Sequence, residues 1–399
     1  MKKLKEYFLE ALSAENIKKL EEYINDDNIN DVINMLVNHS NKASIKGKEY
    51  EDFFDLHGLS KLNWGRKNSA LVQFTNVFSD NGHLDIFKKI IKNNGIVNID
   101  DLNTEGNIFK DYCGDNEKLN PCGNFIEEAK TIASWTNSTS ANAGPGEILL
   151  KFILKEGRTS NKGDVAIAVD ENDPKPNEEM EVKAATLAKN ASGGHAAGQT
   201  GKIRNAWSIY WFLDNKLFNL KTLSTDAVKL QYFQNQKVGL KDFNQKIKDA
   251  NIEDPHIISD GIVNALCYQY RFIQNETSDK PENLNGYNKL KEQAYKLCNK
   301  IYDKNNGFKS ANDLYNLVGC IQLYLYSQVE QFDYFFAILI DKNIDNESVD
   351  NGKYWCIKNC NTDETDLLDF DKVLSHLQFK CLDSTTSSQG RTGKIIIKK

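Results

Sequence analysis

The chain has 399 residues, of which 40% are apolar, 10% aromatic and 27% charged, with 50 Lys and Arg against 56 Asp and Glu for a net charge of −6. This length exceeds the roughly 250–300 residues at which one hydrophobic core stops growing, so more than one folded part is expected, and the composition excludes a low-complexity or fibrous chain. A net negative charge excludes a surface coated evenly in positive charge, so any contact with nucleic acid has to be local.

From Lys2 to about Val37, apolar residues (Leu4, Phe8, Leu12, Ile17, Leu20, Ile24, then Val32, Met35 and Leu36) recur mostly three or four positions apart, which predicts two amphipathic helices. Acids run through this stretch, and nowhere does the chain hold about 18 apolar residues in a row. A cleaved leader and a membrane span are therefore not expected, and the chain is read as cytoplasmic. Mixed helical and loop patterns continue to about Ser140. The small polar run Trp135–Gly144 then breaks the pattern, and Pro145, favoured in a first helical turn, predicts a helix from Pro145 to about Lys155.

Two short strands follow, Asp164–Val169 and Met180–Ala184, then a Gly- and Ala-rich loop over Asn190–Gly198. Helical spacing resumes near Gln199 and runs towards Phe212, and again over 260–330. The last 70 or so residues turn to β patterns at Tyr334–Ile340, Lys353–Lys358, Leu377–Leu382 and Lys394–Lys398, expected to form a small terminal sheet. Eight cysteines are scattered without C-x2-C pairs, so buried free thiols are expected; a structural zinc near Cys356, Cys360, His376 and Cys381 is the alternative.

Strand geometry sends residues i and i+2 to one face, so Glu181 and Lys183 project together while Met180, Val182 and Ala184 turn the other way. Antiparallel pairing of the two strands would bring Asp164 beside Glu181, with the carboxylates within about 5 Å and able to share one ion. Two adjacent carboxylates repel and call for a cation between them. Mg²⁺, with Mn²⁺ as a substitute, suits one or two carboxylates plus water and phosphate oxygens, and can assist attack of water on a phosphodiester. Lys183 would hold or help deprotonate that water, and Glu147, on the preceding helix, could add a third carboxylate.

The order G-P-G-E147, G-D164-V, E181-V-K183, with its acids spaced 17 residues apart, resembles the PD-(D/E)XK nuclease superfamily over about 70 residues from Gly144 to Phe212. The resemblance implies that Asp164 and Glu181 bind metal, that Lys183 positions the nucleophile and that Glu147 is an auxiliary ligand. Gly163 stands where the family has Pro. Ile203 follows Gln199 where the exonuclease branch has Tyr, which turns the expectation away from an end-resecting exonuclease. Nor does Gly198-Gln-Thr-Gly-Lys202 have the spacing of a phosphate-binding P-loop.

The expected architecture is thus an α/β restriction-endonuclease-like core over 136–258, between a helical N-terminal region over 1–135 and a C-terminal α+β region over 259–399 that serves nucleic acid or a partner. The expected function is Mg²⁺-dependent cleavage of DNA by a restriction-type endonuclease, with a homodimer or larger assembly left open. The alternative is a phage virion or DNA-packaging structural protein that keeps the fold, virion-associated rather than cytoplasmic.

Candidate phosphate or base contacts are His195, Gln199, Lys202 and Arg204 after the core, and Arg391 and Lys394 in the C-terminal stretch. From His376 to Lys399 that stretch holds five basic residues against the single acid Asp383. If Arg391 and Lys394 each neutralise a phosphate, replacing both with Ala should weaken DNA binding about equally for all sequences and lower the salt slope by roughly two units. Binding isotherms over a salt series check this; an unchanged slope would remove the stretch from the DNA interface.

Overall fold

The computed structural model describes residues 95–114, 126–134, 144–155, 157–159, 164–168, 177–186, 195–199, 240–274, 281–341, 348–381 and 393–398. The predicted N-terminal helices, the helix after Gln199 and the polar loop before Lys394 lie outside them. The fold is mixed α/β. The chain divides into two compact units, each discontinuous: the first spans Met1–Lys189 and Tyr334–Cys356, the second Asn190–Asp333 and Ile357–Lys399. Among the described residues no helix is long and apolar enough to cross a membrane.

The first unit holds strands β1 (Glu105–Asn107), β2 (Gly157–Thr159), β3 (Val165–Ala168) and β4 (Asn177–Thr186). Its helices are α1 (Ile108–Tyr112), α2 (Ile126–Ser134) and α3 (Pro145–Ile153). Two more strands arrive from far along the chain, β8 (Tyr334–Ile340) and β9 (Lys353–Ile357). Together they form a six-stranded mixed sheet in the order β1-β9-β8-β4-β3-β2. β2, β3 and β4 pair antiparallel, whereas β4 and β8 run parallel from Met180↔Tyr334 to Thr186↔Ile340.

The four predicted C-terminal strands therefore do not make one sheet. The reason lies in β8, whose sequence YFFAILI has no polar side to offer solvent and is buried at every position. Such a strand belongs in the middle of a sheet covered on both faces. Aromatic partners from β9 serve both faces: the Trp355 ring meets Phe335 edge-on at 6.1 Å, and Tyr354 stacks on Phe336 at 5.0 Å.

Helix α3 begins where Pro145 enters the first turn, and Glu147 at the third position accepts the Gly144 N–H at 3.1 Å. Every described residue from Ile148 to Leu154 is buried, as expected of a helix that is apolar all round. It lies so close to the sheet at Gly146 that a Cβ there would stand 2.8 Å from Ile338 Cγ2 and 3.0 Å from Ala184 Cβ.

The second unit holds β5 (His195–Gln199), α4 (Leu240–Asp249), α5 (Pro255–Gln274) and α6 (Tyr287–Ile301), followed by the short hairpin β6 (Tyr302–Asp303) and β7 (Gly307–Phe308). After these come α7 (Ala311–Glu330), α8 (Phe370–His376), β10 (Leu377–Cys381) and β11 (Gly393–Ile397). Part of the predicted Gly- and Ala-rich loop is thus a strand, β5, which pairs with β11 and completes a three-stranded sheet with β10. Ser310 and Asp313 cap α7 reciprocally. Gly319, midway along α7, seats the buried Phe379 of β10: a Cβ there would fall 2.0 Å from its ring carbon Cγ.

In a helix interior Ala is worth up to about 1 kcal/mol over Gly, but overpacking a filled core costs about 1–3 kcal/mol. Gly319→Ala should therefore destabilise the second unit by about 2 kcal/mol and Gly146→Ala the first by about 1 kcal/mol, read as falls in melting temperature. A more stable Gly319→Ala protein would show that Phe379 does not pack where it is placed.

Candidate active site

Strands β3 and β4 pair as Val165↔Met180, and the Asp164 N–H donates to the Met180 carbonyl at 2.9 Å. Beyond that bond β3 gives way to the residues that precede Asp164, while β4 continues to Thr186. The N–H of Val182 finds its acceptor in the Asp164 side chain, whose Oδ2 lies 2.8 Å away. The Asp164 carboxylate is in this way fixed at the point where the two strands part.

Extending the register by one places Asp164 opposite Glu181. Glu181 is only 4% exposed, so both faces of β4 are covered here, Met180 and Val182 being buried as well. A buried carboxylate needs a charge partner or strong hydrogen bonds. The Lys183 ammonium provides one by direct contact with Glu181 Oε1, and the same nitrogen lies 3.9 Å from Asp164 Oδ2. Asp164 and Glu181 thus converge on a single cation.

Glu147 stands beside this pair on α3. Its Oε1 lies 2.5 Å from the ammonium of Lys151, one helical turn on, and its Oε2 accepts the Gly144 N–H. Burial pushes the Glu147 carboxyl above the usual carboxylate range; Lys151 pulls it back and the nearby charge of Asp164 raises it further. Lys151 itself is only 2% exposed. It escaped the sequence reading, although two signals pointed to it: a lone charge inside the apolar run Ile148–Leu154, and the Glu-to-Lys spacing of four that favours pairing on a helix.

Among the described residues the cluster brings together the carboxylates of Asp164, Glu181 and Glu147 and the ammonium groups of Lys183 and Lys151. Among the described residues no set of three or more His, Cys, Asp or Glu side chains lies close enough to hold a metal ion. As placed, the site is a pair, Asp164 and Glu181, with Glu147 alongside. Hard oxygen donors in this number suit Mg²⁺, which keeps most of its positions for water and substrate oxygens.

Of the other predicted contacts, Gln199 and Lys394 are register partners on β5 and β11, and His195 stands opposite Ile397. Lys202, Arg204 and Arg391 lie outside the described residues. Cys113, Cys267, Cys298, Cys320, Cys356 and Cys360 are buried and form no disulfide; burial raises Cys298 to about 12 and Cys113 and Cys320 higher, so these last three stay protonated and unreactive. No family model matches the chain, and no curated protein or solved structure matches it significantly.

Proposed function

We propose that the chain is a metal-dependent deoxyribonuclease with a restriction-endonuclease-like core, cutting DNA internally. The observation that carries this reading is the convergence of Asp164, at the parting of β3 and β4, and the buried Glu181 on one cation, the ammonium of Lys183, which stands two residues past Glu181 on the same strand face. The order of elements, a helix with an acid, then an acid just before a strand, then Glu-x-Lys on the neighbouring strand, supports it.

Asp164 and Glu181 would hold a divalent ion, which when bound polarises the scissile phosphate and acidifies a coordinated water. Asp164 is kept in place by the Val182 N–H, and at 31% side-chain exposure it still faces solvent, from which substrate arrives. Lys183 brings an ammonium to the same carboxylates and can hold a proton at Nζ beside the attacking water while offsetting charge that builds on the phosphate. Glu181, buried in the sheet, has little freedom to move and so aligns what it binds. DNA is held by local positive charge, for which Lys202, Arg204, Arg391 and Lys394 are the candidates, with His195 and Gln199 as polar contacts.

A second reading rests on the ion pairs themselves. Each of the three acids already meets a lysine, an arrangement that also serves a structural protein of a phage particle or packaging machine in which the cluster only ties helix to sheet.

Incubation with supercoiled plasmid separates the two. The wild type should nick and linearise it with Mg²⁺ or Mn²⁺ and not with EDTA. Asp164→Asn, which keeps an acceptor for Val182, should lose at least ~100-fold in rate with a melting curve close to wild type, and Lys183→Ala should lose as much in rate while melting lower, because it takes the ammonium from the buried Glu181. A variant that cuts at the wild-type rate would refute the assigned roles, and a wild type inert with every metal would leave the structural reading.

A further inference from the structure

Lys151 is the most deeply buried lysine of the cluster, and nothing in the chemistry above uses it. It lies in the middle of α3, its chain runs back one turn towards the helix N-terminus, and its ammonium lies against Glu147 Oε1 at 2.5 Å. The other Glu147 oxygen takes the Gly144 N–H. Both oxygens of Glu147 are therefore spoken for within α3 and its cap. If Glu147 turned away to ligate an ion, a buried ammonium would lose its partner and an N-terminal N–H its acceptor. Breaking a buried pair from one side reduces the favoured state by a factor of at least ~100, which an ion would have to overcome before gaining anything from a third carboxylate.

From this we infer that the cation site consists of Asp164 and Glu181 alone, and that Lys151 is a positioning residue that holds Glu147 outside the coordination sphere. The inference rests on the metal-dependent reading above and departs from the auxiliary-ligand role that the family resemblance implies for Glu147. Asp164 and Glu181 share one ammonium, whereas Glu147 has its own. Among the described residues no three acids converge on one point. In this arrangement Glu147 and Lys151 cancel each other's charge next to the site, so ion binding responds to removal of either one and not to removal of both.

The test is a double-mutant cycle on the full-length chain, with Mn²⁺ binding followed by electron paramagnetic resonance of the free ion and melting curves recorded with and without Mn²⁺. Glu147→Gln keeps the acceptor for Gly144 but leaves Lys151 facing the ion unpaired, and should weaken Mn²⁺ binding roughly tenfold. Lys151→Met leaves Glu147 uncompensated; it should melt lower without metal, bind Mn²⁺ no more weakly than wild type and gain more in melting temperature when Mn²⁺ is added. Glu147→Gln/Lys151→Met, which buries no unpaired charge, should return to within about twofold of wild-type affinity.

If the double variant binds Mn²⁺ as weakly as Glu147→Gln, Glu147 is a ligand and the inference fails while the nuclease reading stands. Asp164→Asn separates the other failure: it should weaken Mn²⁺ binding at least tenfold. If it binds like wild type, or if wild type itself shows no saturable Mn²⁺ binding, the metal reading falls and this inference with it. Should Glu147→Gln not fold, the double variant against wild type and Asp164→Asn still decides between ligand and neighbour.

Discussion

The parallel pairing of β4 with β8 is the constraint from which the rest of the first unit follows. Seven register pairs join a strand carrying Glu181 and Lys183 to one carrying nothing but apolar and aromatic side chains. Because β8 must be buried on both faces, β4 beside it is covered on both faces too, and Glu181 is taken out of water with it. A carboxylate in that position needs a charge partner or strong hydrogen bonds. The pairing of two strands for hydrophobic reasons thus creates the electrostatic problem that Lys183 answers.

The answer differs on the two sides of the cluster. At the parting of β3 and β4, Asp164 is fixed by a backbone N–H and stays half-buried. On α3, Lys151 is buried and Glu147 half-buried, and replacing such a pair by apolar groups of similar size often leaves a protein no less stable. Its value lies in alignment: it ties the first turn of α3 to the second, at the place where Gly146 brings the helix into contact with Val182, Ala184 and Ile338.

Part of this was legible in the sequence and part was not. Glu181 and Lys183 share a face by strand periodicity alone, and the one-residue extension that sets Asp164 opposite Glu181 follows from two short strands and the turn-rich segment between them. Helix α3 could be placed from Pro145 and the apolar run after it. The partner of β4 could not be placed, because 147 residues separate the ends of the two strands and local patterns say nothing about such pairings. Even so, an unbroken apolar run at Tyr334–Ile340 already spoke against a small terminal sheet with one wet face. β5 was hidden for another reason: HAAGQ has neither alternation nor β-branched residues, and becomes a strand through the edge that β11 offers it.

That the sheet waits for β8 has a consequence for the chain as it is made. At about 5–20 residues per second, the stretch between Thr186 and Tyr334 takes on the order of ten seconds to emerge from a ribosome. During that time β4 is already synthesised, but the edge that β8 will occupy is open, with its N–H and C=O groups and its apolar face available to any other strand. The nascent chain therefore passes through an interval in which the segment carrying Glu181 and Lys183 is at greatest risk of wrong pairing, and chaperone dependence, if the protein has it, would be set by that interval and not by the final stability of either unit.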